Sequence, residues 1–321
     1  MRVVTAADLA RILTFPPLIN ALRDGFRAGV VAPARHHHAI RFSEAPAATL
    51  LLMPAWHDTT GGRADRRLLG VKIVSVHPGN AARGKPSVNG TYLLMDAETG
   101  DQLAIIDGLA LTLWRTAAAS ALAASYLARN DASRLVVVGA GNLAPHLIAA
   151  HASVRPIENI LIWNRNPERA ERLASEMAGS HYAIEATTDL EGAVRRADIV
   201  SCATLSREPL VRGAWLKPGA HLDLVGAFTP EMRESDDNAV LRASVFVDTR
   251  EGAFEEAGDI VQPLRAGLIS ESTVGGDLFD LCRGTIRGRQ SDEEITLFKS
   301  VGTALEDLAA AALVFSLLSR A

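Results

Sequence analysis

Two kinds of residue in this sequence are placed to do chemistry: glycines spaced to cradle a phosphate, and cations set where a bare charge is costly. The first kind is Gly139-Ala140-Gly141-Asn142-Leu143-Ala144, entered from the β-branched run Arg134 to Val138 and left into a helical pattern. Gly139 permits a sharp turn, Gly141 lets the backbone approach a pyrophosphate, and the small Ala144 lets the helix pack close to its strand. N–H groups at the helix start would face the phosphates. A second strand-like run, Asn159 to Trp163, ends in Asn164-Arg165. That is where a dinucleotide-binding unit, about twenty residues on, places the residue that reads the adenosine ribose. An acid there would hold the 2′-hydroxyl of NAD, whereas Asn164 and Arg165 offer no negative charge and a guanidinium suited to a 2′-phosphate. NADP(H) is therefore the preferred cofactor, with NAD(H) the alternative if Arg165 is merely solvated.

The second kind is Lys72, in the middle of the apolar run Leu68 to Val76. A lysine there either reaches a strand edge or meets something negative; a half-exposed strand with the lysine in solvent is the plainer account. Arg115 lies in Trp114-Arg115-Thr116-Ala117, inside a long Ala-rich helix from Leu109 to Arg129. It stands at the hand-over to the dinucleotide fold, a usual place for a substrate cleft, or else lies along the surface with its charge in water. The tract His36-His37-His38 suggests metal, but strand neighbours point to opposite faces and cannot all converge on one ion, so no metal is expected.

These residues need elements to hold them. Thr5 to Asp8 offers a helix N-cap, and Pro17 to Gly29 shows helical apolar spacing. Strand runs follow at Thr49 to Pro54 and Leu68 to Val76, with a hairpin of Thr91 to Asp96 and Gln102 to Asp107. From Ser133 strand and helix alternate through six strands, the last at Ala243 to Asp248, which predicts a doubly wound parallel sheet of Rossmann type. Thr296 to Gly302 reads as the opening of a long apolar helix that runs to the end and packs back on the first domain. The expected division is thus 1–124 with 294–321 as an α+β substrate and dimerisation domain, and 125–293 as the dinucleotide domain.

A length of 321 residues suits two domains, and 48% hydrophobic content suits two cores. A net charge of −4 gives no pull toward nucleic acid or anionic membrane, so neither is an expected partner. Cys202 and Cys282 are each alone, which fits a reducing compartment and a buried hydrophobic role. The start of the chain carries no long apolar run, and Leu308 to Leu318 is too short to span a bilayer, so the expected location is the cytoplasm.

Set together, Leu52-Met53-Pro54, Gly70-Val71-Lys72, Pro78-Gly79-Asn80, Leu111 to Ala118, Val138 to Asn142, Ala257-Gly258-Asp259 and Phe298 to Gly302 resemble the ornithine cyclodeaminase and mu-crystallin family. The likeness runs nearly end to end. It implies a homodimer, a nicotinamide cofactor and a small α-imino or α-amino acid substrate. By position, Lys72 and Arg115 match the family's substrate-site lysine and arginine; Arg35 matches a second arginine better than Arg41 does. Thr116, Asn142, Asn164, Arg165, Thr204, Val225 and Ser300 match cofactor-contacting positions, with Gly139, Ala140, Gly141 and Leu143 in the phosphate loop and Arg115 adjoining.

One departure matters. Where the ornithine-cyclising members carry an aspartate for the side-chain amine, this chain has Phe228, which cannot accept a proton or pair with an ammonium. Glu231, Glu234, Asp236 and Asp237 follow it and read as a solvated helix start. The resemblance therefore implies reduction of a C=N bond beside a carboxylate, as in ketimine and 1-pyrroline-2-carboxylate reductases. Arg115 and Arg35 would hold the carboxylate, Lys72 would supply a proton or positive field at nitrogen, and Phe228 would wall an apolar ring. Neighbouring arginines would lower the lysine's pKa. The alternatives are ornithine cyclodeamination, alanine dehydrogenation and NADPH-dependent ligand binding without turnover.

Overall fold

The computed structural model describes residues 1–42, 46–57, 67–179 and 181–320, and the chain divides into two compact units. Unit 1 is Met1–Arg115 with Thr303–Ala321, and unit 2 is Thr116–Gly302. The expected breaks at 124/125 and 293/294 therefore move to 115/116 and 302/303.

Unit 1 opens with β1 (Arg2–Val4), α1 (Ala6–Ile12) and α2 (Phe15–Arg27). The expected N-cap on α1 is a capping box formed by Thr5 and Asp8. Buried Phe15, Leu18, Ile19, Leu22 and Phe26 make one apolar stripe along α2, the helical period written into the sequence. The strands that follow are β2 (Val30–Val31), β3 (His36–Ile40), β4 (Ala48–His57), β5 (Leu68–Val76), β6 (Val88–Asp96) and β7 (Gln102–Asp107). They form a sheet in the order β1-β7-β6-β5-β4-β2, with β3 also on β4; β2 to β7 pair antiparallel among themselves and β1 lies parallel to β7. Lys72 stands in register between Met53 and Tyr92, and all three point to the buried face. The C-terminal helix, Ala304–Arg320, packs against α2 and across β4 and β5. Gly25 of α2 faces it, where a Cβ would stand 3.2 Å from that of Ala309. No helix among the described residues is long and apolar enough to cross a membrane.

Helix α3 (Gly108–Leu127) leads into unit 2. There, β8 (Arg134–Val138), α4 (Ala144–Ala152), β9 (Asn159–Trp163), α5 (Pro167–Glu176), β10 (Ala183–Ala186), α6 (Leu190–Arg196), β11 (Ile199–Cys202) and β12 (His221–Leu224) follow in turn. Then come α7 (Asp237–Arg242), β13 (Ser244–Val247), α8 (Arg250–Glu256), α9 (Gly258–Arg265), β14 (Val274–Asp277), α10 (Leu278–Arg283) and β15 (Thr296–Lys299). The sheet is parallel throughout, in the order β10-β9-β8-β11-β12-β15-β13-β14. Alternate residues of β8 feed two cores: Leu135 and Val137 on one face, Val136 and Val138 on the other. Both faces are covered, as a parallel sheet requires.

The structure corrects the sequence reading twice here. The sheet has eight strands rather than six, because Val274–Asp277 and Thr296–Lys299 join it. The latter was expected to begin a helix. All four of its residues are buried, and β12 and β13 pair with it on either side, so sheet hydrogen bonds decide what a tetrapeptide with only two apolar residues leaves open. That pairing also holds 296–299 in unit 2.

Candidate active site

In unit 1 the strand lysine has found its negative partner. Lys72 is 3% exposed, and its Nζ lies 2.7 Å from Asp307 Oδ2, in the first turn of the C-terminal helix. Arg115 donates from Nε to Asp307 Oδ1 at 3.1 Å and from Nη1 to Glu306 Oε2 at 2.7 Å. Both acids are fully buried, at the end of the helix where the backbone N–H dipoles favour negative charge. Tyr92, beside Lys72 on β6, fills the space over Gly70, where a Cβ would fall 2.0 Å from its hydroxyl oxygen. Glycine at 70 is thus what lets a tyrosine lie next to the lysine. Arg35, half-buried before β3, adds positive charge toward Lys72.

Burial pulls the Lys72 ammonium down to about 8; Asp307 opposes the fall, and Arg115 and Arg35 add to it. The arginines were expected to be the cause, but loss of water is the larger effect. A group poised there holds a proton at neutral pH and releases it readily. Glu306 and Asp307 are absent from the sequence reading. The signal for them was present: two acids on one turn of an otherwise apolar helix need cations.

In unit 2 the phosphate loop has the expected form. Gly139 has φ +114°, a conformation that favours glycine, and a Cβ there would meet Ala203 O at 2.7 Å. A Cβ on Gly141 would meet nothing within 4 Å, and α4 has no side-chain cap hydrogen bond. Open space beside uncapped N–H groups fits a pyrophosphate. Asn164 braces this loop: its Oδ1 accepts from Ala140 N at 3.2 Å and its Nδ2 donates to Asn166 O at 2.9 Å. Trp163, Asn164, Arg165, Arg169, Thr204 and Leu205 line a cleft of about 370 Å³. The open turn and the cleft at the carboxyl ends of these strands therefore fit a dinucleotide.

The other positions fall as follows. Asn142 is exposed, Leu143 and Thr116 are half-buried, and Val225 and Ser300 are buried, with Ser300 N donating to Leu224 O at 3.1 Å. Phe228 is 44% exposed. His36 and His38 share one face of β3 with ring centroids 6.3 Å apart. Among the acids read as a solvated helix start, Asp236 caps α7 and Asp237 pairs with Arg233, but Glu234 is fully buried, which corrects that reading. Its oxygens face backbone N–H groups that the local sequence does not announce.

The pattern that defines the ornithine cyclodeaminase/mu-crystallin family matches residues 3–320. The chain belongs to that family. Within it, a delta(1)-pyrroline-2-carboxylate reductase of Paracoccus denitrificans is 43% identical over 264 residues, 82% of this chain and 81% of the relative. The solved Thermococcus litoralis delta(1)-pyrroline-2-carboxylate reductase, in complex with NADH and L-proline, superposes with a TM-score of 0.89 at 33% identity, covering 100% of this chain and 98% of that one. An archaeal alanine dehydrogenase dimer with bound NAD gives 0.88 at 29% identity, covering 100% and 97%. The ornithine cyclodeaminase/mu-crystallin fold thus accounts for both units.

Proposed function

We propose that this protein reduces the C=N bond of a small cyclic α-imino acid of the 1-pyrroline-2-carboxylate type to the L-amino acid, consuming one reduced nicotinamide dinucleotide and one proton. The observation that carries the reading is Lys72, buried beside Arg115 with its proton loosely held. Arg115 and Arg35 attract the substrate carboxylate and fix the ring, and the forked guanidinium suits a planar acid. The Lys72 ammonium faces the imine nitrogen and hands it a proton, so that C2 becomes electrophilic as iminium character develops. Glu306 and Asp307 keep the cations oriented and moderate their charge. When bound, the reduced nicotinamide supplies the hydride. A phenylalanine at 228 in place of an amine-handling acid speaks against cyclodeamination.

The decisive assay follows NADPH and NADH oxidation separately with pyrroline-2-carboxylate, piperideine-2-carboxylate, pyruvate plus ammonia, and ornithine alone. The pyrroline should be turned over fastest and ornithine should consume no cofactor; turnover only of pyruvate with ammonia would replace the reading with alanine dehydrogenation.

NADP(H) is the proposed partner because Arg165 and Arg169 line the adenosine cleft and no acid stands at 164. Arg165→Ala should lower kcat/KM for NADPH about tenfold, a loss of roughly 1.4 kcal/mol, and leave NADH unchanged. The working unit is a homodimer. Val3, Trp56 and Ile73 are exposed on the sheet face of unit 1 opposite Lys72, with Leu69, Val71, Leu93 and Ile105 half-buried among them. An open apolar sheet face of this kind needs cover. Sedimentation should give a dimer that Ile73→Lys weakens.

A further inference from the structure

A second cluster of buried charge lies in unit 2, with no part in the reaction above. Glu234, in the segment between β12 and α7, is 0% exposed. Its Oε1 accepts from Thr204 N at 2.6 Å and Thr204 Oγ1 at 2.8 Å; its Oε2 accepts from Gly226 N at 2.8 Å and Ala227 N at 3.3 Å. Thr204 follows β11 and Gly226 follows β12. One carboxylate therefore spans the carboxyl ends of two adjacent parallel strands, the side on which open α/β sheets bind ligands. A Cβ on Gly226 would stand 2.0 Å from Thr204 O, so the two loops touch backbone to backbone.

The backbone that carries this carboxylate is itself held. Glu234 N, Ser235 N and Ser235 Oγ donate to Asp259 Oδ1 at 2.9, 2.9 and 3.1 Å, and Asp259 Oδ2 lies 3.4 Å from Lys299 Nζ. Asp259 and Lys299 are also 0% exposed. Each Glu234 oxygen already receives a backbone N–H, so a proton on either would displace a donor and loosen one loop. A purely structural brace has no need of a charge this costly; neutral groups would tie two loops at less expense in desolvation.

We propose that Glu234 is a positioning residue whose ionised carboxylate ties the β11 loop to the β12 loop and so shapes the surface that receives the nicotinamide half of the dinucleotide. Asp259, on α9, and Lys299, on β15, hold it in place. The inference rests on the dinucleotide reading of unit 2 and is independent of which imine is reduced. Burial raises the Glu234 carboxyl to about 6; Asp259 adds to the rise, while Lys299 and the Thr204 donors oppose it. The charged and titratable groups facing the cluster are Asp259, Lys299 and the Cys202 thiol of β11, and nearby Arg233 is paired with Asp237.

The test is calorimetric titration with NADH, whose phosphates do not titrate near pH 6, on the intact protein between pH 5 and 7.5. If only the ionised form seats the loops, the wild-type Kd rises about tenfold one unit below the carboxyl's pKa. Glu234→Gln, checked for a cooperative unfolding transition, should bind about tenfold more weakly at pH 7.5 and show little further change toward pH 5. Hydrogen exchange at Thr204 and Gly226 should quicken in the variant. A wild-type Kd constant across this range overturns the proposal, and does so even if the variant fails to fold. So does a variant within twofold of wild type, or one with the wild-type pH slope. Failure to reduce pyrroline while NADH binds normally would sink the functional reading and leave this one standing.

Discussion

The buried charge cluster around Lys72 in unit 1 and the one around Lys299 in unit 2 are built from the same kinds of residue and resolve the cost of burial in opposite directions. Around Lys72 the cations are in excess: Lys72, Arg115 and the nearby Arg35 against Glu306 and Asp307. Around Lys299 the acids are in excess, with Glu234 and Asp259 against one ammonium. In the first the lysine gives way, falling to about 8; in the second a carboxyl does, rising to about 6. The sign of the surplus thus decides what each cluster attracts. Spare positive charge suits a carboxylate substrate, and spare negative charge suits the N–H groups of Thr204, Gly226 and Ala227. Buried charge identifies neither as a site by itself; its balance does.

The largest effect should come from Lys72→Met, which removes the proposed proton source and lies outside unit 2. Turnover should fall by about a thousandfold, the usual scale for a general acid, with NADH affinity unchanged by titration. A variant keeping wild-type kcat would break the contrast between a catalytic and a positioning cluster.

Next is Asp307→Asn, which deepens the cationic surplus. Removing one partner of a buried ion pair costs about 3 kcal/mol, so the urea midpoint should fall. Asp307 also holds the Lys72 proton on. Wild-type activity should decline as pH rises through about 8, because the acid form is lost, and in the variant that limb should move to lower pH.

The smaller effect concerns global stability in unit 2. The folded-state pKa of Glu234 lies near 6, above the ordinary 4.5, so the folded chain holds the extra proton between those values. Its contribution is therefore greatest below about pH 4.5 and is lost as pH rises through about 6, by roughly 2 kcal/mol. Measured as unfolding free energy against pH, Glu234→Gln should remove that part of the slope. Stability and NADH affinity would then respond to pH in opposite senses, a signature that a simple structural brace does not give.

How much of this could be read in advance varies along the chain. The glycine turn was legible because its main cause is local: a sharp strand-to-helix turn calls for the positive φ of Gly139, whereas the open space beside Gly141 is a property of the fold. Lys72 was half legible. Its apolar run demanded an opposite charge, but the acid that answers stands in the C-terminal helix. Glu234 was misread because its neighbours Glu231, Asp236 and Asp237 are acids with outward or capping roles, and nothing in a stretch of acids says which one turns inward.

The alternation of strand and helix, the glycine turn, the family likeness and the need of a buried lysine for a partner are all written in the chain, since each follows from residues close together in it. It took the folded chain to make Thr296–Lys299 a strand, to bring Asp307 and Glu306 to Lys72 and Arg115, and to set Glu234 between two loops. Those outcomes turn on pairing between distant segments, where burial sets the cost of a charge and the fold supplies what offsets it.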